Sequence, residues 1–323
     1  MELGHHRSQS SPLFRGFIEF AYFAPYGGSA TEQQEFHAIK YLGAFNRQVV
    51  MFERRQQKNK FVGALVMAEV TFHSVVRSVR ARHNNAFIAL GLSMLQVILF
   101  VAVFYLMFSL LGLRGSAVRG DFLLYLLSGI FLFLVHNQTV SKVAAAGALN
   151  SPIMQHAPMN SIVSIASAAL GVLYINIITL TLVLFVYHTL INPFEIYRPI
   201  GAFAMVLLAW FSGVSIGLLV LSIKPWMPRL TGIIMTVYTR ANMIASGKMF
   251  LANTIPGYMI AMFEWNPLFH SIDQARGYMF INYNPLFTNW QYPLKLGLAL
   301  ILIGLMIEFI TRRSVSASWS AKS

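Results

Sequence analysis

Six long apolar runs alternate with shorter polar stretches along this chain. About 20 apolar residues of helix are needed to cross the hydrocarbon core of a bilayer, and each run is close to that length. A helix satisfies its backbone hydrogen bonds within one segment, so the runs predict transmembrane helices. We therefore predict an all-α integral membrane protein with six spans. The predicted spans are residues 86–113, 122–142, 161–190, 200–223, 230–251 and 293–310.

The stretch before the first span divides into two parts. Residues 1–60 are mixed and polar, and they predict a cytosolic, partly disordered extension. Residues 61–85 show helical periodicity, with Phe72 on an apolar side and Glu69 and Arg77 on a polar side. This pattern predicts an amphipathic helix. It either lies on the cytoplasmic leaflet as an interfacial helix or packs on a cytosolic partner, and the sequence leaves both interpretations open.

The stretch between the fifth and sixth spans, residues 252–292, is too long for a turn and is interrupted by prolines. Its apolar pieces are too short to cross a membrane, which favours re-entrant or interfacial helices. Asn266 is a candidate helix cap and Pro267 a candidate first helical residue. The same dipeptide recurs at Asn284 and Pro285.

The composition agrees with a membrane protein and limits its chemistry. Hydrophobic residues make up 56% of the chain and charged residues 11%, whereas soluble domains average roughly a quarter charged residues. The sequence has no cysteine, which excludes disulfides, thiolate metal sites and cysteine nucleophiles. The net charge of +13 does not indicate nucleic-acid binding, because the basic residues are not gathered on a soluble domain.

Lysine and arginine positions predict the orientation of the chain. They concentrate between residues 40 and 82, recur between spans four and five, and follow the last span. The positive-inside rule makes these segments cytoplasmic, so both termini are predicted in the cytoplasm. No cleaved signal peptide is predicted. The predicted organisation is a transmembrane domain over residues 86–313 and a cytosolic tail over residues 314–323.

The sequence contains neither a nucleotide-binding loop nor a metal-binding motif. The nearest fragment to a phosphate-binding loop, residues 246–249, lacks the leading glycine and the hydroxyl residue. We therefore predict that this chain does not hydrolyse ATP by itself and holds no cofactor. The acids near the spans are scattered at span ends or in loops, which argues against a membrane-embedded enzyme. These acids are Asp121, Glu195, Glu264, Asp273 and Glu308.

Two basic residues fall inside the predicted fifth span. Arg240 shares a helix face with Thr236 and requires a polar partner or water at that depth. Lys248, nearer the end of the span, is predicted to snorkel to the interface. For Arg240 a structural pairing and a water-filled substrate path are both open.

Aromatic residues in the spans also have two interpretations, because they either stack on sugar rings in a conduit or contact lipid and packed helices. With Arg240, the candidates for a substrate pathway are Phe104, Tyr105, Phe108, Tyr174 and Trp210. His136 and His188 are interpreted as hydrogen-bonded structural histidines. Asp273 and Arg276, three residues apart, are interpreted as a local pair on one helix face.

Taken together, these features resemble the membrane subunit of a type-2 ABC exporter, in particular the permeases that export capsular polysaccharide or O-antigen. The resemblance covers about residues 70–313. It rests on the basic amphipathic helix, the six-span topology, the loop from Ser151-Pro152 to Pro158, and the run Asn266-Pro267-Leu268-x-His270 followed by Arg276. The last feature is the most specific.

The resemblance implies roles for the residues that match it. In that family the pre-membrane helix and the loop between spans two and three contact a separate ATPase. This implies ATPase-coupling roles for Arg77, Arg80, Arg82, Pro152, His156 and Pro158. The broken segment between spans five and six forms re-entrant helices on the outer side. This implies an outer gate of Pro256, Trp265, Asn266, Pro267, His270 and Arg276.

The resemblance also implies partners, substrate and location. It implies a homodimer of this chain with two copies of an ATP-binding subunit, which binds the ATP and Mg²⁺, in a bacterial inner membrane. The implied substrate is a polysaccharide or glycoconjugate. Two departures are a longer, more basic N-terminal extension and Asp273, where the family often has a longer acid. The alternatives are an exporter of a lipid or small molecule and a membrane-embedded glycan- or lipid-modifying enzyme.

Overall fold

The computed structural model describes residues 60–80, 86–112, 121–146 and 161–320 of the chain. Within these ranges the chain forms helices joined by turns and contains no strand, so the prediction of an all-α protein is confirmed there. A short 3₁₀ helix, Ala252–Thr254, lies between α6 and α7. The α-helices are α1 (Lys60–Arg80), α2 (Ala86–Leu110), α3 (Phe122–Ala145), α4 (Ser161–Leu190), α5 (Pro199–Ile223), α6 (Pro228–Ala245), α7 (Gly257–Phe263), α8 (Pro267–Met279) and α9 (Gln291–Ser320).

Five of the described helices, α2 to α5 and α9, are long and apolar enough to cross a membrane. They make the chain a membrane-embedded, multi-pass protein, as predicted. Their bounds follow the apolar runs closely, and α4 has the bounds predicted from the sequence. The last helix differs, because it continues to Ser320, well past residue 310, where the span was predicted to end.

The helix in the region of the predicted fifth span, α6, is not one of these five. It has 18 residues and ends at Ala245, so the prediction that this element runs to residue 251 is wrong. Gly247 follows with a φ of 74°, a left-handed conformation that glycine adopts without steric cost. The chain therefore turns where the apolar run suggested a continuing helix.

Helix α3 lies at the centre of the fold and packs against α2, α4, α5 and α8. It is buried continuously from Leu124 to His136. Helix α5 approaches it closely, because a Cβ on Gly213 would lie 2.9 Å from the carbonyl oxygen of His136. By contrast, α2 and α9 expose large aliphatic side chains such as Leu106 and Leu302, which suits a surface in contact with lipid.

Helix α8 is short and almost entirely buried against α3 and α5. Asn266 caps it by accepting a hydrogen bond from the Leu268 amide, and Pro267 occupies the first turn, which confirms both local predictions. At the other end, the Tyr197 and Arg198 amides donate to the carbonyls of Met279 and Tyr278 at 3.2 and 2.8 Å. Helix α8 is thus fastened to the start of α5.

The predicted amphipathic helix is present as α1, which ends at Arg80. Glu69 and His73 approach within 3.9 Å one turn apart on its exposed side. Several of its apolar residues, Val66, Met67, Val70 and Phe72, are exposed as well, and 64% of Phe72 is accessible. Residues 1–59 of the predicted extension, which covers residues 1–60, lie outside the described residues, and Lys60 begins α1.

Candidate functional site

The strongest concentration of buried charge lies between α3, α8 and the turn after α6. Arg276, at 0% exposure, Asp273, at 2%, and Lys248, at 1%, form what we call the polar centre. Burying a charge is costly unless hydrogen bonds or an opposite charge compensate it. Arg276 and Asp273 meet this requirement through hydrogen bonds, whereas the Lys248 ammonium contacts only aromatic rings among the described residues.

Arg276 donates hydrogen bonds to three carbonyl groups of the turn after α6. Its Nη1 donates to the Gly247 and Phe250 oxygens at 2.8 and 2.6 Å, and its Nη2 donates to the Lys248 oxygen at 2.7 Å. The guanidinium also lies over the ring of Tyr125 in α3, 4.2 Å from its centroid. The planar fork of arginine suits several fixed acceptors at once, so this residue holds the turn against α8 and α3.

This arrangement requires a close approach of α3. A Cβ on Gly129 would lie 2.7 Å from Nη2 of Arg276 and 2.8 Å from the Lys248 carbonyl oxygen. Any other residue at position 129 would therefore displace the turn or the guanidinium. Gly129 is a residue of this site that the sequence analysis did not identify.

Asp273 accepts hydrogen bonds from groups beyond α8. These donors are the Ala252 amide at 3.3 Å, the Thr288 hydroxyl at 2.7 Å and the Tyr283 hydroxyl. The interpretation of Asp273 and Arg276 as a local pair is wrong, because in the described structure no salt bridge joins their side chains and both bind groups outside α8. The carboxylate fastens the segment after α8 and also the start of the 3₁₀ helix before it, and the guanidinium fastens the turn after α6.

Lys248 is enclosed by aromatic rings. Its Nζ lies 3.5 Å from the ring centroid of Phe133 and 5.4 Å from that of Phe104. The ammonium has no hydrogen-bond partner among the described residues. The prediction that Lys248 snorkels to the interface is wrong, because the Gly247 turn directs the side chain inward.

The isolated ammonium leads to a prediction. A desolvated cation–π contact contributes about 2 kcal/mol, whereas desolvating an ion costs several kcal/mol. Lys248→Met keeps most of the side-chain volume and removes the charge. We expect the thermal unfolding midpoint in detergent to stay equal or rise, and a clear fall would contradict this account of Lys248.

A second group of polar residues crosses the interior of the bundle at His136, Asn137 and Gln138 of α3, and we call these three the polar layer. Nδ1 of His136 contacts the Ala209 oxygen and Ser212 Oγ, both at 3.0 Å, and Nε2 contacts the Tyr238 hydroxyl at 2.7 Å. The prediction of a hydrogen-bonded structural histidine is confirmed for His136. His188 likewise accepts from the Phe194 amide at 3.2 Å.

The other two members of the polar layer link the remaining helices. Asn137 accepts from Asn242 of α6 at 3.4 Å, and Asn242 accepts from Asn266 at 2.8 Å. Gln138 donates to Gln96 of α2 at 3.2 Å and accepts from Asn176 of α4 at 3.0 Å. Three consecutive residues of α3 therefore bind four other helices, α2, α4, α5 and α6.

Arg240 lies on the opposite side of α6 from these contacts. Its side chain is exposed and makes no hydrogen bond or ion pair with any residue in the described part of the chain. At 3.6 residues per turn it is about 160° around the helix from Tyr238, which binds His136. The structural pairing considered for Arg240 is therefore absent within the described ranges.

The aromatic candidates for a substrate pathway are not brought together. Phe104 is buried beside Lys248, and Tyr105 and Phe108 pack on Phe122 with ring centroids 6.2 and 5.6 Å apart. Trp210 donates from Nε1 to the Ala169 oxygen at 2.9 Å. Tyr174 is 55% exposed. These contacts favour packing roles for all but Tyr174.

The candidate outer-gate residues, by contrast, share one region. Pro256 caps α7, and the Trp265 oxygen accepts from the Tyr292 hydroxyl at 2.8 Å. His270 contacts the Glu264 oxygen at 2.7 Å and accepts from the Asn289 amide at 3.0 Å, and its ring lies 4.7 Å from that of Tyr292 in a tilted contact. With Asn266, Pro267 and Arg276, these residues tie α7, α8 and the start of α9 together.

The candidate ATPase-coupling residues fall mostly beyond the described structure. Arg77 is exposed on α1. Arg80 ends α1, and its side chain is not described. The other four, Arg82, Pro152, His156 and Pro158, lie outside the described residues.

Two cavities lie near Asp121, the cap of α3. An apolar crevice of about 470 Å³ runs between α2, α3 and α4, lined by residues such as Val101, Tyr105 and Val183. A more polar cavity of about 510 Å³ lies between Asp121, the loop before α5 and the end of α8. Burial opposes ionisation of Asp121, but hydrogen bonds from Tyr187, Asn192 and the Leu123 and Leu124 amides lower its pKa below the ordinary value. The polar cavity therefore carries a carboxylate at neutral pH.

The described residues contain no group of three or more histidines, cysteines or acids arranged to hold a metal ion. They define a multi-pass membrane protein with a buried polar centre and a polar layer. No protein-family model matches the chain, and no curated protein matches its sequence.

Proposed function

We propose that this chain is the transmembrane subunit of an ATP-binding cassette exporter, which moves a polysaccharide or glycoconjugate across a bacterial inner membrane. A separate ATPase, in two copies, binds ATP and Mg²⁺ and supplies the energy. Two copies of this chain form the conduit, with their termini in the cytoplasm. The residues that resemble the type-2 exporters support this proposal, and the geometry of α6 carries it.

The observation that carries the proposal is the exposed arginine of α6. Asn242 and Tyr238 bind the polar layer, so Arg240 lies at about the same depth as that layer, on the outward side of α6. An arginine at the bilayer centre costs about 2.5–3.5 kcal/mol on insertion scales, and such residues face water-filled cavities or protein partners. With no partner for Arg240 among the described residues, a water-filled path between two copies accommodates it.

In this proposal α6 is also a span, the fifth in chain order, which brings the number of spans from five to six. Its outward face combines Ile233, Val237 and Ile244 with Arg229, Thr236 and Arg240. Lipid suits the first set and water suits the second. A helix that borders a conduit needs such a mixed face, which explains why it is less apolar than the other five.

Helices α7 and α8 are proposed as the re-entrant pair. Asn266 binds Asn242, which binds Asn137, a residue roughly 22 Å along α3 from Phe122. Helix α8 then returns to the start of α5. A segment that enters and leaves on the same side is consistent with an outer gate held by the polar centre.

Coupling is proposed to enter through α1 and the loop at residues 147–160. Helix α1 has apolar and basic residues, which suits an interfacial position at the cytoplasmic leaflet. A short helix bounded by Pro152 and Pro158 would transmit movements of the ATPase to α3 and α4. This part of the proposal depends on the resemblance alone.

The proposal predicts a co-purifying ATPase. We expect a tagged, detergent-solubilised chain to bring down a second protein and vanadate-sensitive ATP hydrolysis. Substitution of the ATPase's phosphate-binding lysine should remove the hydrolysis and keep the complex. A chain that purifies alone, without hydrolysis from native membranes, would contradict the proposal.

A lipid exporter is the second candidate, and the apolar crevice favours it. The crevice opens between α2 and α4 with almost purely apolar walls, as an acyl chain requires. Substrate-stimulated ATP hydrolysis distinguishes the candidates. Stimulation by lipid vesicles and not by soluble glycan would favour the lipid exporter.

A further inference from the structure

We propose that the cargo that passes along α6 is anionic, such as an acidic polysaccharide or a phosphate-bearing glycan. This inference rests on the proposed conduit and adds the charge of the substrate to it. It follows from the charges that α6 presents away from the bundle.

The outward face of α6 carries positive charge alone. Arg229, Thr236 and Arg240 are exposed and lie within about 40° of one another at 3.6 residues per turn. The sequence of α6 contains no aspartate or glutamate. We call these three residues, Arg229, Thr236 and Arg240, the stripe. A path along the stripe meets an arginine at each end and a hydroxyl group between them.

The stripe cannot be neutralised by rotation of α6 toward the bundle. Tyr238 and Asn242 hold the inner face of the helix through hydrogen bonds to His136 and Asn137. Thr236 uses its hydroxyl proton on the Gly232 carbonyl, which leaves the hydroxyl oxygen as an acceptor only. Arg240 is thus fixed outward.

An uncompensated cation in a narrow path of low dielectric selects the charge of what enters. It attracts carboxylate, sulfate or phosphate groups and repels ammonium groups, and the walls of a cleft strengthen the effect. The guanidinium fork matches planar oxyanions with two hydrogen bonds. A neutral glycan would gain neither interaction.

The cysteine-free sequence permits a direct measurement of this charge. Thr236→Cys introduces a single thiol one helical turn from Arg240, in the full chain within membrane vesicles. Its reaction rates with a sulfonate-bearing and a trimethylammonium-bearing methanethiosulfonate report the local potential. Thr254→Cys, at an exposed position in the 3₁₀ helix, serves as the reference, and Leu302→Cys on the lipid-exposed side of α9 serves as the unreactive control.

We expect the ratio of anionic to cationic rates to be higher at position 236 than at position 254. Adding Arg240→Gln should lower this ratio about five- to tenfold, and 0.5 M salt should weaken the effect. Arg198→Gln, which removes an exposed arginine beside Tyr197, should leave the ratio unchanged. Dextran sulfate should slow modification at position 236 by at least threefold, and neutral dextran of the same length should not.

The outcomes separate this inference from the proposed function. If the thiol at position 236 reacts but Arg240→Gln leaves the ratio unchanged, the path exists and the anionic cargo is wrong. If the thiol does not react with either reagent, the water-filled path itself is wrong. If phosphatidylglycerol vesicles protect the thiol and dextran sulfate does not, Arg240 binds a lipid headgroup, and the proposal of a polymeric anionic cargo is wrong.

Discussion

Arg276→Gln is expected to destabilise the protein by about 3–5 kcal/mol. The change removes the hydrogen bonds from the guanidinium to the Gly247, Lys248 and Phe250 carbonyl oxygens, of which the Gly247 oxygen keeps the Phe250 amide at 3.4 Å. Each buried group that is left unsatisfied costs roughly 1–3 kcal/mol. It also removes the contact between the guanidinium and Tyr125. We expect a large fall in the thermal unfolding midpoint, measured by tryptophan fluorescence in detergent, and a matching fall in abundance in the membrane.

Two further variants make this result specific. Arg276→Lys keeps the charge but not the fork, so it should recover only a minor part of the lost stability. Arg198→Gln removes a guanidinium that is exposed and makes one long side-chain hydrogen bond of 3.4 Å to Tyr197. That control should change the unfolding free energy by less than about 0.5 kcal/mol. Full stability of Arg276→Lys would mean that charge, and not the set of carbonyl contacts, matters at this position.

The apolar runs predicted most of the helices because length and hydropathy are local properties. The run at residues 161–190 coincides with α4, and that at 200–223 differs from α5 by one residue. The same reasoning overestimated α6, because Met249 and Leu251 look like a continuing span in sequence. A single left-handed glycine ends the helix there, and hydropathy does not report backbone conformation.

The two Asn-Pro dipeptides show that a local sequence signal does not by itself determine where a helix begins. Asn266-Pro267 begins α8, as a capping residue followed by proline predicts. Asn284-Pro285 begins no helix. There the chain is held by tertiary contacts. Pro285 packs so closely on Gly277 that a Cβ added to this glycine would lie 2.6 Å from the proline ring, and the Asn284 oxygen accepts from Asn253 at 2.8 Å. Contacts across the fold override identical local chemistry.

The candidate site was predictable in part. Arg276, Asn266 and His270 were identified from the sequence, and the structure brings them into one region. The environments of Arg240 and Lys248 were not predictable, because the sequence placed both on one span. The turn at Gly247 directs Lys248 inward, while α6 directs Arg240 outward. The run His136-Asn137-Gln138 inside an apolar helix was a usable signal for the polar layer.

We expect the polar centre around Arg276 to require glycine at position 129 for its stability. A Cβ at this position would lie under 3.0 Å from Arg276 Nη2 and from the backbone oxygen and Cα of Lys248. Overpacking of this kind costs about 1–3 kcal/mol, and alanine returns at most about 1 kcal/mol of helix propensity. Gly129→Ala should therefore lower the unfolding midpoint, and Gly129→Leu should prevent stable folding.

The matched control is Gly91 in α2, where a Cβ meets nothing within 4 Å. Gly91→Ala should leave stability unchanged or raise it slightly, so the same substitution should have opposite signs in two apolar helices. The Arg276→Gln background supplies the decisive comparison. If the added methyl group acts by displacing the guanidinium and the turn it holds, most of the Gly129→Ala effect should vanish once Arg276 is gone. Additive effects would instead mean that Gly129 acts on α3 alone, independently of the turn after α6.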